Sequence, residues 1–158
     1  MQRRTFVSAI LGAGAGLSLT RPAAASDEQF EVTRTDAEWK AMLSDRQYQV
    51  MRREGTEPAY SSPLDKQYDP GLYHCRGCDQ PLYSSEHKYD SGTGWPSFWQ
   101  PIKATAIGTK RDWKLVIPRT ECHCSRCGSH LGHIFDDGPQ PTGKRHCLNG
   151  VSLVFKPA

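Results

Sequence analysis

Two Cys-x-x-Cys turns, Cys75-x-x-Cys78 and Cys124-x-x-Cys127, constrain what this chain can fold into more than any other feature. A thiolate pair at that spacing grips a metal ion from a single backbone turn, and two such turns supply the four ligands of a tetrahedral site. The two segments must then meet in space. The same motifs also admit a redox pair or, in an exported protein, two disulfides. Two matched pairs in one short chain favour zinc on Cys75, Cys78, Cys124 and Cys127, in a structural role because four protein ligands leave no position for water. Gly77 and Gly128 sit where such turns often need a positive φ. Of the six cysteines, Cys122 and Cys147 are left without a metal to explain them.

The N-terminus reads as an address. Arg3-Arg4 precedes an apolar stretch over residues 6–19, and Pro22-Ala23-Ala24-Ala25-Ser26 offers small residues to a signal peptidase. The apolar run is shorter than the roughly 20 residues a membrane span needs. Residues 1–25 are therefore expected to be a twin-arginine export signal, removed near Ser26 to leave a periplasmic protein without a membrane anchor. An ordinary secretory signal is the alternative. Export of folded cargo suits a protein that acquires its metal in the cytoplasm. Residues 26–158 suffice for one compact domain.

Composition narrows the function classes. The formal charge of +3 includes Arg3, Arg4 and Arg21 of the signal, so the mature domain is near neutrality and has no electrostatic grip on nucleic acid. A mean hydropathy of -0.64 and 37% hydrophobic residues describe a small domain with a thin core, which gains from a metal staple.

Thr35-Asp36-Ala37-Glu38 is a capping box followed by Trp39, Met42 and Leu43, which predicts a helix from Asp36. Ser44-Asp45-Arg46-Gln47 repeats the signal and predicts a second helix to about Glu54, stopped by Gly55. From Thr56 onward prolines, glycines and clustered tyrosines predict strands and loops. Residues 104–117 read as a hairpin turning at Lys110-Arg111-Asp112, and residues 145–155 as a strand pair bending near Asn149-Gly150.

The reactive segment is Lys144-Arg145-His146-Cys147-Leu148-Asn149. On a strand Arg145, Cys147 and Asn149 share one face, and a guanidinium beside a thiol enriches the thiolate. His130 and His133 could supply proton donors or hold a water. Cysteine plus histidine is also the minimum equipment of a hydrolase, and two cysteine knuckles alone would suit a zinc-ribbon interaction module.

Several motifs decide among these. Glu57-Pro58, Gly71-Leu72-Tyr73-His74-Cys75, Asp90-Ser91-Gly92-Thr93-Gly94-Trp95-Pro96-Ser97-Phe98 and Arg119-Thr120-Glu121 occur in order, followed by His130-Leu131-Gly132-His133-Ile134-Phe135-Asp136-Asp137-Gly138-Pro139 and Arg145-His146-Cys147-Leu148-Asn149. Together they resemble the peptide-methionine (R)-S-oxide reductases, the MsrB family, over residues 35–156. The resemblance implies a mainly β fold of two antiparallel sheets, with short N-terminal helices and a four-cysteine zinc site far from the active site.

It further implies an enzyme that reduces methionine (R)-sulfoxide, in oxidised proteins, to methionine. Cys147 would attack the sulfoxide sulfur and become a sulfenic acid, which thioredoxin or another thiol reductant regenerates. His130, His133 and Asn149 would serve the sulfoxide oxygen, Arg145 would tune Cys147, and Asp137 would orient the histidines. Trp95, helped by Phe98, would wall the substrate methyl group. A monomer is expected.

One position departs from the family pattern. Many members carry a resolving cysteine in the loop before Gly-Trp-Pro-Ser, where this chain has Thr93. Cys122 is then either an alternative resolving thiol, because regeneration needs a thiol and its place is otherwise unexplained, or a buried strand cysteine.

Overall fold

The computed structural model describes residues 29–158, so the expected export signal lies outside the described residues. Helix α1 spans Asp36–Met42 and α2 spans Asp45–Arg53. Both predicted capping boxes form. The Glu38 carboxylate accepts the Thr35 N–H at 2.7 Å, and Gln47 Oε1 accepts the Ser44 N–H at 3.0 Å. These bonds satisfy N-terminal donors that a helix cannot pair internally. Helix α2 ends one residue earlier than expected. Glu54, at φ 54°, takes the left-handed position instead of Gly55, whose N–H then reaches Gln49 O at 3.0 Å.

The rest of the chain is β-structure and loops. The strands are β1 Gly71–Cys75, β2 Pro81–Ser84, β3 Lys88–Tyr89, β4 Ser97–Phe98, β5 Ile107–Asp112, β6 Arg119–Cys124, β7 His130–Phe135, β8 Arg145–Leu148 and β9 Leu153–Pro157. They build two antiparallel sheets, ordered β2-β1-β9 and β3-β4-β8-β7-β6-β5. Tyr73, Tyr83 and Phe98 are fully buried where the sheets meet, with Phe98 4.9 Å from the Tyr73 ring and 4.7 Å from the Tyr83 ring.

Two predicted turns are corrected. Lys110, Arg111 and Asp112 continue β5, and residues 113–118 make the turn into β6. Residues 145–155 are not a hairpin: β8 belongs to the larger sheet and β9 to the smaller, joined by a 3-10 turn at Gly150–Ser152. That crossover carries the chain from the reactive strand into the other sheet.

Helices α1 and α2 close over the first cysteine turn. Trp39 and Met51 are buried, and a Cβ added at Gly77 would come within 2.8 Å of Ser129 Oγ and 3.3 Å of the Met51 methyl group. Gly77 is thus required by close packing and not by a positive φ. The left-handed positions of the two knuckles are Asp79 (φ 62°) and Gly128 (φ 67°), each directly after the second cysteine. Among the described residues no helix is long and apolar enough to cross a membrane.

Candidate active site

The cysteine turns meet as their spacing predicts. The four sulfurs of Cys75, Cys78, Cys124 and Cys127 lie within 4.8 Å of one another, with 3.6 Å between Cys75 and Cys127 and 3.5 Å between Cys78 and Cys124. The near approaches run between turns, at distances well beyond the ~2.05 Å of a disulfide. A tetrahedral ion with metal–sulfur bonds of about 2.3 Å fits inside such a set. Arg52 donates to Cys127 O at 3.1 Å, so α2 also braces the second turn. The site can hold a metal. Cys124 closes β6, whereas Arg119 at the strand's other end lines the reactive cleft, about 17 Å away at strand rise.

That cleft follows from strand register. Directly opposed residues of antiparallel strands share a face, and Ser97, Cys147, His133 and Glu121 form one continuous row across β4, β8, β7 and β6. The neighbouring row, Leu148, Gly132 and Cys122, faces the core. Cys147 therefore stands directly beside His133 on the open face. It is half-buried in a cleft of about 120 Å³ whose walls include Trp95, His133, Phe135 and Asn149.

His130 should not share that face, because residues three apart on a strand point to opposite sides. A bulge resolves the conflict. Cys122 opposes Gly132 but His123 opposes His130, which leaves Leu131 as the extra residue and rephases the strand. The His130 and His133 rings then lie 5.4 Å apart. The Leu131 carbonyl freed by the bulge accepts from Asn149 Nδ2 at 3.0 Å and from the Asn149 backbone N–H at 2.8 Å.

Different carboxylates from the expected one fix the histidines. Asp137 makes two bonds to Arg145, at 2.8 and 2.9 Å, and does not reach either ring. Instead His133 Nε2 bonds Asp112 Oδ2 at 2.7 Å, while Glu121 bonds His130 Nδ1 at 2.6 Å and His123 Nδ1 at 2.8 Å. The Lys114 N–H, together with His133 and Arg119, holds the Asp112 carboxyl well below its usual range. Burial pushes the Glu121 pKa up, but its two imidazole partners win and bring it down to about 2. Burial lowers the His133 pKa despite Asp112, so the ring is neutral at pH 7 with its proton on Nε2 toward the carboxylate.

The thiol environment is mixed. Burial raises the Cys147 pKa, and Arg145 together with a hydrogen bond to Thr93 opposes that rise. Asp137 holds the Arg145 guanidinium while it stacks 4.4 Å above the Phe135 ring. Thr93, Ser91 and Ser97 form a hydroxyl chain, at 2.8 and 2.7 Å, beside Cys147.

Glu57 braces the opposite wall. Its buried carboxylate accepts the Gly150 and Val151 N–H groups at 2.6 and 3.0 Å, and its own N–H donates to Asn149 Oδ1 at 2.9 Å. Its carbonyl accepts Trp95 Nε1–H at 3.0 Å. One residue thus fixes the Trp95 wall and the Asn149 amide together.

Two expected site residues lie elsewhere. Phe98 is in the core, because Ser97 faces Cys147 and the next residue must face away. Cys122 is fully buried on the core face, 3.6 Å from Tyr83 Oη, with its thiol pushed up to about 12 by burial. It lies two strands from Cys147 and points to the other side of the sheet, so the two thiols are not neighbours in this fold. Thr56, Arg119 and Phe135 line the cleft and were not read from the sequence as site residues. Phe135 follows from His133 by strand alternation, and Arg119 opens a quoted motif. Thr56 carries no signal of its own.

Comparisons with known proteins agree with this geometry. A family profile described as SelR domain matches residues 43–157. The peptide methionine sulfoxide reductase MsrB of Thioalkalivibrio sulfidiphilus is 51% identical over 124 residues, covering 78% of this chain and 90% of the relative. That of Leptospira interrogans is 47% identical, covering 80% and 97%. Peptide methionine sulfoxide reductase B1, chloroplastic, of Oryza sativa is 48% identical, covering 80% and 59%. A thiol and an imidazole in a small cleft, a four-cysteine site at the far end of β6 and this level of identity leave one assignment: the chain belongs to the peptide methionine sulfoxide reductase MsrB family.

Proposed function

We propose that this oxidoreductase reduces methionine (R)-sulfoxide in proteins at Cys147. The observation that carries the reading is the register of Cys147 directly against His133, whose far nitrogen is held by Asp112. The Cys147 thiol proton passes to the neutral His133 ring, and Asp112 stabilises the imidazolium that forms. The thiolate then attacks the sulfoxide sulfur, with the methyl group against Trp95. As the S–O bond breaks, the oxygen receives the proton from His133 and ends as the hydroxyl of a Cys147 sulfenic acid, and methionine leaves. Atoms balance without added water. His130, locked by Glu121, and the second N–H of Asn149 support the oxygen and hold the His133 ring in place.

An external thiol, thioredoxin-like in the cell, attacks the sulfenic acid and releases water, and a second thiol then frees Cys147 as a disulfide forms. Zinc suits the four-cysteine site, since thiolates in tetrahedral array select it, and the ion would join the two halves of the domain. We further propose export by the twin-arginine route to the periplasm, supported by Arg3-Arg4 ahead of an apolar stretch, and action as a monomer.

The test is an assay of the purified mature domain on both sulfoxide epimers of N-acetylmethionine with dithiothreitol. Reduction of the (R) epimer alone, abolished by Cys147→Ser, is expected. Equal reduction of the (S) epimer, or activity surviving in Cys147→Ser, refutes the assignment.

A further inference from the structure

The turn between β5 and β6 carries four of the eight large apolar side chains that stand exposed among the described residues. Trp113 is 71% exposed, Leu115 57%, Val116 102% and Ile117 77%. Four large apolar side chains within five residues leave uncovered an area that soluble domains normally bury or use.

The turn is held against the reactive cleft at both ends. Asp112 before it bonds His133, and Arg119 after it lines the cleft and pairs with Asp112 at 2.7 Å. The Lys114 N–H caps Asp112 at 2.9 Å, and Lys114 Nζ bonds Glu54 at 2.5 Å, two residues before Thr56 in the cleft wall. The apolar side chains are thus projected from the rim of the site by groups that belong to it.

The cleft, at about 120 Å³, is of side-chain size. The chain bearing that side chain must cross the rim. Methionine is usually buried among other apolar residues, so the neighbours of an oxidised methionine in an unfolded segment are commonly apolar themselves. We propose that residues 113–117 are a docking surface for an extended polypeptide with apolar residues next to its methionine sulfoxide. The occupant is chosen by continuity with the cleft, and the inference rests on the sulfoxide reductase reading above. Burial of aliphatic side chains at the rim lowers KM and leaves the chemical step unchanged.

The experiment compares wild type with a Leu115→Ser/Val116→Ser/Ile117→Ser variant on three substrates. These are N-acetylmethionine (R)-sulfoxide, a peptide with leucines flanking the sulfoxide residue, and the same peptide with glycine and serine flanks. In wild type the leucine peptide is expected to show a KM about fivefold below that of the glycine-serine peptide, a gap that the variant abolishes. On the small substrate kcat/KM should differ by less than about twofold between the two proteins. The proposal is overturned if wild type shows no gap, if the variant keeps it, or if the variant loses activity equally on the small substrate. Sedimentation of wild type, but not the variant, with phosphatidylglycerol vesicles without a peptide gap would reassign the turn to a membrane surface. A turn-dependent dimer in light scattering would reassign it to a second copy. Failure of wild type to reduce any of the three substrates would overturn the reductase reading itself. Should the triple variant melt differently from wild type, Val116→Ser, at a wholly exposed position, repeats the comparison.

Discussion

Replacing Cys122 by serine should leave catalysis intact and lower stability, a combination that separates a core residue from a redox partner. Cys122 opposes Gly132, which opposes Leu148, so its side chain lies on the face away from Cys147. Two strand spacings separate their backbones, roughly 10 Å, whereas disulfides need Cα atoms closer than about 7 Å. Its thiol is wholly buried with a pKa pushed up to about 12, so almost no thiolate exists to attack a sulfenic acid at pH 7. Cys122→Ser should therefore change kcat and KM by less than about twofold. The shorter serine side chain draws its oxygen away from Tyr83 Oη, already 3.6 Å from the sulfur, and strands a hydroxyl in the core. That costs about 1–3 kcal/mol, and Tm should fall by roughly 3–10 °C for a domain of this size. Cys122→Ala, which strands nothing, should cost less than Cys122→Ser. Mass spectrometry after one turnover without reductant should find the sulfenic acid, or its adduct with a trapping reagent, on Cys147 alone. A Cys122–Cys147 disulfide, or a variant that turns over once and then stalls with thiol reductant present, would refute the reasoning.

Other perturbations probe the charges and the metal. Burial raises the Cys147 pKa above the ordinary value of 9.0, so its alkylation by iodoacetamide should rise about tenfold per pH unit from pH 7 to 9, and a plateau below pH 8 would contradict it. Arg145→Met, which removes a group that opposes the rise, should slow alkylation further at pH 7. Glu121 has a folded-state pKa of about 2 against 4.5 unfolded, so the stability it supplies is present above pH 4.5 and lost as pH falls toward 2. At most about 3 kcal/mol is involved, and Glu121→Gln should flatten the stability profile measured by urea unfolding over that window. Chelation of the metal should loosen the packing of Trp39 on the first cysteine turn, read as a red shift of tryptophan emission, with restoration by added zinc. Unchanged emission and Tm in the metal-free protein would show that the site does not brace the helices.

The sequence was most readable where a local rule acts alone. Each capping box needs only four neighbouring residues, and each cysteine turn only four, so both helices and the metal ligands could be placed without knowledge of the fold. It was least readable where composition and topology disagree. Lys110-Arg111-Asp112 has the composition of a turn, yet Asp112 must stay in β5 to meet His133 and Arg119. The actual turn contains Trp113, Leu115, Val116 and Ile117, residues that strand rules assign to a sheet interior. The family resemblance implies Asp137 as the partner of the histidines, but its carboxylate pairs with Arg145 and leaves the rings to Asp112 and Glu121.

Parity on the strands explains the remaining differences and bears on the chemistry. Ser97 faces Cys147, so Phe98 must enter the core, and Cys122 must do so because Glu121 lies in the Cys147 row. In the larger sheet the bulge at Leu131 breaks this alternation, and it brings His130 to the reactive face while placing a carbonyl under Asn149. No residue pattern announces that bulge. With Cys122 across the sheet, the other four cysteines gathered at the metal site and a hydroxyl at Thr93, no thiol of this chain stands beside Cys147. On the proposed mechanism the reductant must therefore enter the cleft from outside, by the opening the substrate has just left. The two half-reactions share one door, and methionine has to depart before Cys147 can be restored.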